Sequence, residues 1–318
     1  MRKLIFKISV YAFLLLITLE IWVRIFHLAK DTPTRYLDAY NVEKWLPNQS
    51  GFSVTGNRKQ NFSAYHINKS GFNSYREFAP TSTNFEIALV GDSFIEGFHQ
   101  NYYNSIGKKI ERELTGIEVY EYGYAGYDMA DQLHLIHQYR AQFQFIDVVI
   151  LGLKYHNDLS RSEYAVEGSR LALESPTNKL LKKSKLLVYA QSIGALSPVK
   201  DLIKKTVSLF APNKNNRENI PLKNDDQLFN ERKANLESLV NLYGFDKEKF
   251  YFLIDETITP QNFIRYLSEN KFKFITIGKA LNTSSKRITL MYDDHWNNNG
   301  RAVVAKEISG FIKKEYQQ

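Results

Sequence analysis

Five short apolar runs, helical segments between most of them, and loops rich in glycine and polar residues at their ends predict an α/β fold on a central parallel sheet. The runs are residues 85–90, 117–122, 146–151, 250–254 and 272–277, and helical spacing marks 104–114, 129–142, 260–270 and 299–314. Strands that alternate with helices pair in parallel, because each connection must cross back over the sheet, and helices then cover both faces. The expected architecture is a three-layer sandwich preceded by one apolar helix.

Residues 1–30 supply that helix. The stretch 8–19 carries no charge, Arg2, Lys3 and Lys7 precede it, and the span 4–26 reaches the roughly 20 residues a bilayer crossing needs. The chain continues Glu20-Ile21-Trp22-Val23-Arg24 with no small-residue cleavage pattern, which favours a retained anchor over a removed leader. Trp22 suits a membrane interface. The reading is a single-pass protein of the cytoplasmic membrane whose C-terminal domain faces outward. Residues 31–80, polar with short aromatic pieces, read as an extended lead-in, partly strand, and 81–318 as the functional domain.

Between the third and fourth runs lies a helical insertion at about 160–245, with a helical stretch at 180–209 and a polar linker at 212–226. Lys179, Lys182, Lys183 and Lys185 give it a basic patch, either a solvated face or a surface for acidic groups or membrane. Elsewhere the excess of 42 Lys and Arg over 34 Asp and Glu, a net charge of +8, is thinly spread, which argues against nucleic acid. Hydrophobic residues at 43% are ample for a core, and the absence of cysteine excludes disulfides, thiolate metal sites and a cysteine nucleophile. There is no internal repeat. His134 and His137, three apart on one helix, lack a carboxylate partner suited to a metal and read as surface residues.

In an open parallel sheet, ligands gather at the carboxyl ends of the strands. The first run leads directly into Gly91-Asp92-Ser93, so a serine hydroxyl stands at a strand end where a helix begins. Alone, the triplet is a common turn in which Asp92 or Ser93 caps the next helix. The second run ends in Gly123-Tyr124-Ala125-Gly126, which lets backbone approach a ligand closely. After the third, Tyr155-His156-Asn157-Asp158 places a side-chain amide at the same rim, with His156 beside it. Before the last helix, Asp293-Asp294-His295-Trp296-Asn297 delivers carboxylates and an imidazole together, as a serine nucleophile requires. Two residues apart in an extended loop share a face, so Asp293 reaches the imidazole more readily than Asp294.

These four blocks, over residues 85–314 without the insertion, resemble the SGNH (GDSL-type) hydrolase family. The segment Gly91-Asp92-Ser93-Phe94-Ile95-Glu96-Gly97 carries the first block, and His295-Trp296-Asn297 with Gly300 the last. The resemblance implies a flavodoxin-like three-layer fold, Ser93 as nucleophile, His295 as base, Asp293 or Asp294 as orienting acid, and an oxyanion hole of Ser93, Gly126 and Asn157. Two positions depart from the family's pattern: Tyr292 stands three residues before His295, and Tyr155 two residues before Asn157. The anchor and lead-in look similar to bacterial members acting outside the cytoplasmic membrane. The implied activity is ester hydrolysis or acyl transfer on a surface glycan, a lipid or an acylated small molecule, with no cofactor or metal. A catalytically silent carbohydrate-binding or assembly protein on the same fold is the alternative.

Overall fold

The computed structural model describes residues 1–56, 60–198 and 224–316. In chain order, α1 (Arg2–Ile25) is followed by two antiparallel hairpins, β1 (Arg35–Leu37) with β2 (Glu43–Trp45), and β3 (Ser50–Thr55) with β4 (Asn61–His66). Then come β5 (Phe85–Gly91), α2 (Ser93–Glu96), α3 (Ile106–Glu113), β6 (Ile117–Gly123), α4 (Met129–Gln138), α5 (Arg140–Phe143) and β7 (Val148–Gly152). The insertion holds α6 (Gly168–Ala172), α7 (Pro176–Lys183), α8 (Lys185–Ser192) and α9 (Asp225–Tyr243). The chain ends with β8 (Phe250–Ile254), α10 (Gln261–Glu269), β9 (Lys273–Thr276), α11 (Gly278–Asn282) and α12 (Asn298–Tyr316).

The five apolar runs form one parallel sheet in the order β6-β5-β7-β8-β9. That is the doubly wound order 2-1-3-4-5, with the switch in strand direction of travel at β5. Side chains alternate across the sheet, as a period of two requires. Ile87 and Leu89 of β5 face α3, α11 and α12 through Ile106, Ile110, Leu281, Val304 and Ile308. Ala88 and Val90 face α4, α9 and α10 through Leu133, Leu236, Leu239 and Phe263. The three-layer α/β sandwich of the sequence reading is thus the fold.

Two features differ from the expected outline. The helix expected at 129–142 breaks at Tyr139, whose hydroxyl bonds to Asp38 and Lys44 of the first hairpin. The helical stretch expected at 180–209 divides at Ser184, which caps α8 instead of continuing α7. Residues 199–209, and the linker 212–226 up to 223, lie outside the described residues. Within the insertion, α9 buries Leu236 and Leu239 against the sheet. It is the crossover helix that a parallel β7-to-β8 connection demands.

Residues 31–80 do more than lead in. Val42, Trp45, Tyr65, Ile67, Phe72 and Phe78 are buried in the same core as α4 and α9. Lys44 is buried too, paired with Asp38 at 2.9 Å. At the sheet's carboxyl edge, the backbone of α2 crosses Gly123 so closely that a Cβ there would stand 2.0 Å from Glu96 N and 2.5 Å from Ile95 C. Backbone cannot swing aside as a flexible side chain does. We therefore expect Gly123→Ala to destabilise the protein by about 3 kcal/mol or more, read as a lowered urea midpoint.

Candidate active site

Ser93 opens α2 immediately after β5. Asp92 is the N-cap, its Oδ1 accepting from the Phe94 amide at 3.0 Å, while its Oδ2 pairs with Lys154 from the loop after β7. Capping falls to Asp92, which leaves the Ser93 hydroxyl free to face elsewhere. It faces His295: Ser93 Oγ lies 2.7 Å from His295 Nε2, across 202 residues of sequence.

The histidine loop is a tight hairpin pinned to the start of α12. Leu290 N donates to His295 O at 2.9 Å and Asn297 N to Ile288 O at 2.8 Å. Asn297 Oδ1 accepts from the amides of Asn299 and Gly300 at 2.8 and 3.0 Å. Asn297 therefore caps this helix, and neither aspartate of the loop is needed for that task. Asp293 instead makes an Asx-type turn, its Oδ1 accepting from the His295 amide at 2.9 Å and also meeting His295 Nδ1. Burial pushes the Asp293 carboxyl up, but the hydrogen bonds from the His295 backbone and ring outweigh it and hold the group below its ordinary range. Asp294 is exposed and points to the cavity beside the site, away from the imidazole's Nδ1 contact.

The sequence reading missed His99. Its ring stacks on His295 with centroids 4.0 Å apart and planes at 22°, and its Nε2 lies 3.6 Å from Asp293 Oδ2. Burial, then the neighbouring His295, pushes its pKa down to about 4, so the ring is neutral near pH 7. Phe94 flanks the other ring contacts, 4.7 Å from both His295 and Trp296. His99, Asp293 and His295 each bring a possible ligand atom within 4.8 Å of the others. Stacked imidazoles aim their in-plane lone pairs alongside one another, whereas a bound ion needs them convergent. His134 and His137 bond instead to the carbonyls of Tyr40 and Tyr243 at 3.1 and 3.0 Å.

Gly126 and Asn157 follow β6 and β7, the two strands that flank β5, with Gly91 in register with Gly123 and Val90 with Leu151. Parallel pairing brings all three loops to one edge. Gly126 has φ +95°, a conformation that side chains resist, and a Cβ there would also press to 3.1 Å from Arg170 Nη1. Its turn is held from below: the Ala125 amide donates to Glu96 Oε1 at 3.1 Å, and the same oxygen accepts from Trp45 Nε1 at 2.7 Å. Tyr124 and Tyr127 bond through their hydroxyls to Glu43. The first hairpin thus shapes the Gly126 loop. Among the described residues the amides of Ser93 and Gly126 and the side-chain amide of Asn157 have no hydrogen-bond acceptor. A mostly apolar cavity of about 310 Å³ opens beside Asp92 and Phe94, the chain neighbours of Ser93, with Leu153, Ile258, Ile277, Leu281 and Trp296 in its wall and Asn157 and His156 at its side.

Two buried carboxyls around this rim keep their protons to unusually high pH. Burial pushes Glu96 up to about 7 against the donors Ala125 and Trp45, and Asp158 up to about 8 against the Lys154 amide. In the unfolded chain both ionise near their ordinary values of 4.5 and 3.8. The folded state then binds more protons than the unfolded one over the interval between, so this contribution is whole at low pH and is lost as pH rises through 7 to 8. We expect the urea midpoint to fall between about pH 5 and 8, with Glu96→Gln and Asp158→Asn each flattening that slope.

No family model and no curated protein matches the chain. Among solved structures, a member of the lipolytic G-D-S-L family from Veillonella parvula aligns at 11% identity and TM-score 0.38, over 74% of this chain and 99% of that one. A lipase/acylhydrolase from Enterococcus faecalis aligns at 13% and 0.38, over 72% and 96%. A psychrotrophic esterase from Pseudoalteromonas aligns at 11% and 0.39, over 73% and 99%. The chemistry of the site is therefore read from its own side chains.

Proposed function

We propose that this chain is a serine-dependent ester hydrolase of SGNH type, anchored by α1 and working outside the cytoplasmic membrane on acyl groups of a surface glycan or lipid. The observation that carries the reading is the 2.7 Å contact of Ser93 Oγ with His295 Nε2, backed by Asp293 at the other ring nitrogen. His295 takes the hydroxyl proton as Ser93 Oγ attacks the ester carbonyl carbon. The carbonyl oxygen gains negative charge facing the amides of Ser93 and Gly126 and the side chain of Asn157, which have no competing acceptor. His295 then returns the proton to the departing alkoxide, leaving an acyl group on Ser93. Water releases it in hydrolysis, or an acceptor hydroxyl in transfer.

The apolar cavity beside Ser93 supports an acyl group as the part of the substrate it takes. By length and composition Arg2–Ile25 suits a membrane span and equally a signal sequence; retention as an anchor is the reading favoured by Glu20-Ile21-Trp22-Val23-Arg24. The test is a fluorophosphonate probe, whose phosphorus the serine attacks with loss of fluoride, together with a short nitrophenyl ester. Native protein is expected to label and turn over, and Ser93→Ala to do neither. A native protein that stays unlabelled and inactive would point to the silent binding protein instead.

A further inference from the structure

The anchor helix and the insertion meet through charged side chains at one corner. Glu20, the only acidic residue among the first 30, accepts from Ser184 Oγ at 3.0 Å and from the amides of Lys185 and Leu186 at 2.9 and 2.8 Å. Arg24, one turn on and paired with Glu20 at 2.6 Å, donates to Lys183 O at 2.6 Å. The orphan carbonyl ending α7 and the orphan amides opening α8 are thus both satisfied by side chains of α1. Lys185 adds an ion pair with Asp31, just beyond the anchor. The elbow Lys183-Ser184-Lys185 is fixed at the height of Glu20 and Arg24.

In a membrane-crossing helix, charged residues near one end mark the level where it leaves the hydrocarbon. Leu181 is three residues from Ser184, so it lies within about 5 Å of that level along α7. It is 47% exposed and Leu180 is 67% exposed, continuing the apolar exposure of Trp22, Ile25 and Phe26 on the anchor. Lys182 pairs with Glu174, but Lys179 and Lys183 make no ion pair among the described residues. Exposed leucines beside free lysines at interfacial height match the mixed chemistry of a lipid surface: acyl boundary below, anionic headgroups above.

We propose that the α7–α8 elbow is a membrane-interface element, with Leu180 and Leu181 entering the headgroup region beside α1 and Lys179 and Lys183 binding anionic headgroups. The proposal rests on the reading of α1 as a retained membrane anchor. The insertion is also fastened to the catalytic body, since Arg170 of α6 pairs with Glu43 at 3.1 Å and Asp131 at 3.4 Å. The elbow therefore fixes how the body sits over the bilayer, in place of a free tether.

The chain has no cysteine, so single labels are unambiguous. Full-length protein carrying an environment-sensitive fluorophore on Leu181→Cys is reconstituted into vesicles with or without phosphatidylglycerol. Matching labels go on Leu15→Cys in α1 and on Lys306→Cys in α12, which covers the sheet face opposite the hairpins. The expected result is blue-shifted emission at 181, quenched several-fold more than at 306 by headgroup-region spin labels, and stronger with the anionic lipid. Lys179→Glu with Lys183→Glu removes the anionic preference. If 15 reports hydrocarbon while 181 is as aqueous as 306, the elbow proposal is overturned and the anchor stands. If 15 is aqueous as well, the anchor reading fails and the proposal with it. An unchanged anionic preference in the double variant overturns the headgroup role of the lysines.

Discussion

His295→Ala is expected to lower kcat on activated acyl esters by about 10⁴–10⁶-fold with KM nearly unchanged. The imidazole touches the Ser93 hydroxyl directly, so its removal leaves an alcohol with no base in contact. Ser93→Ala should cost about as much, and the double variant little more than either single one. That non-additivity is the discriminating measurement. Two residues that act on one proton cannot be lost twice, whereas independent binding roles would multiply. Far-ultraviolet circular dichroism and the urea midpoint should stay close to those of the native chain, because Ser93 and His295 are only partly buried and Asp92 and Asn297 carry the local caps. A double variant that falls multiplicatively below both singles would separate the two residues.

The sheet was legible in the sequence because each strand is a mostly apolar run, interrupted by charge only at Glu86, Glu118, Glu121 and Lys273, which is how strands covered on both faces read. Strand-end position then singled out Ser93 and His295, since in a parallel sheet the loops at one edge converge whatever their separation along the chain. The acid was less legible. Asp293 and Asp294 are alike in composition, and what divides them is an Asx-type turn in which one carboxylate oxygen takes both backbone and ring of His295. His99 left no trace, because ring stacking across two loops follows no spacing rule. The first hairpin was hidden for a different reason. β1 and β2 have three residues each, too few to show alternation, and β2 buries Glu43 and Lys44 as well as Trp45. Those charged residues are inside because they have work there: Glu43 holds Tyr124, Tyr127 and Arg170, and so the shape of the Gly126 loop. A polar stretch that reads as linker can be the mould of a reaction site. The same holds for α9, whose place is dictated by the β7-to-β8 crossover more than by its own weakly patterned sequence.

Asp293→Asn should reduce kcat by about 10³–10⁴-fold, and Asp294→Asn by no more than a few-fold. The amide keeps the size of the carboxylate and an oxygen able to accept from the His295 backbone, so the loop is expected to hold its shape. What disappears is the charge that stabilises the imidazolium formed when Ser93 gives up its proton, and the acceptor that fixes the proton on Nδ1. Asp294, exposed at the cavity side, makes neither contact. His99 sharpens the contrast. Its Nε2 faces the second Asp293 oxygen at 3.6 Å, and with its pKa pushed down to about 4 it stays neutral at working pH. A protonated His99 would share the carboxylate's charge and repel the imidazolium beneath it. Neutral, it leaves that charge to His295. His99→Phe keeps a stacked ring without a titratable nitrogen, and is expected to retain activity within about tenfold of native above pH 6, where His99→Lys, with its fixed charge, loses far more. Equal losses in the two variants would show that the neutrality of His99 is not what the site requires.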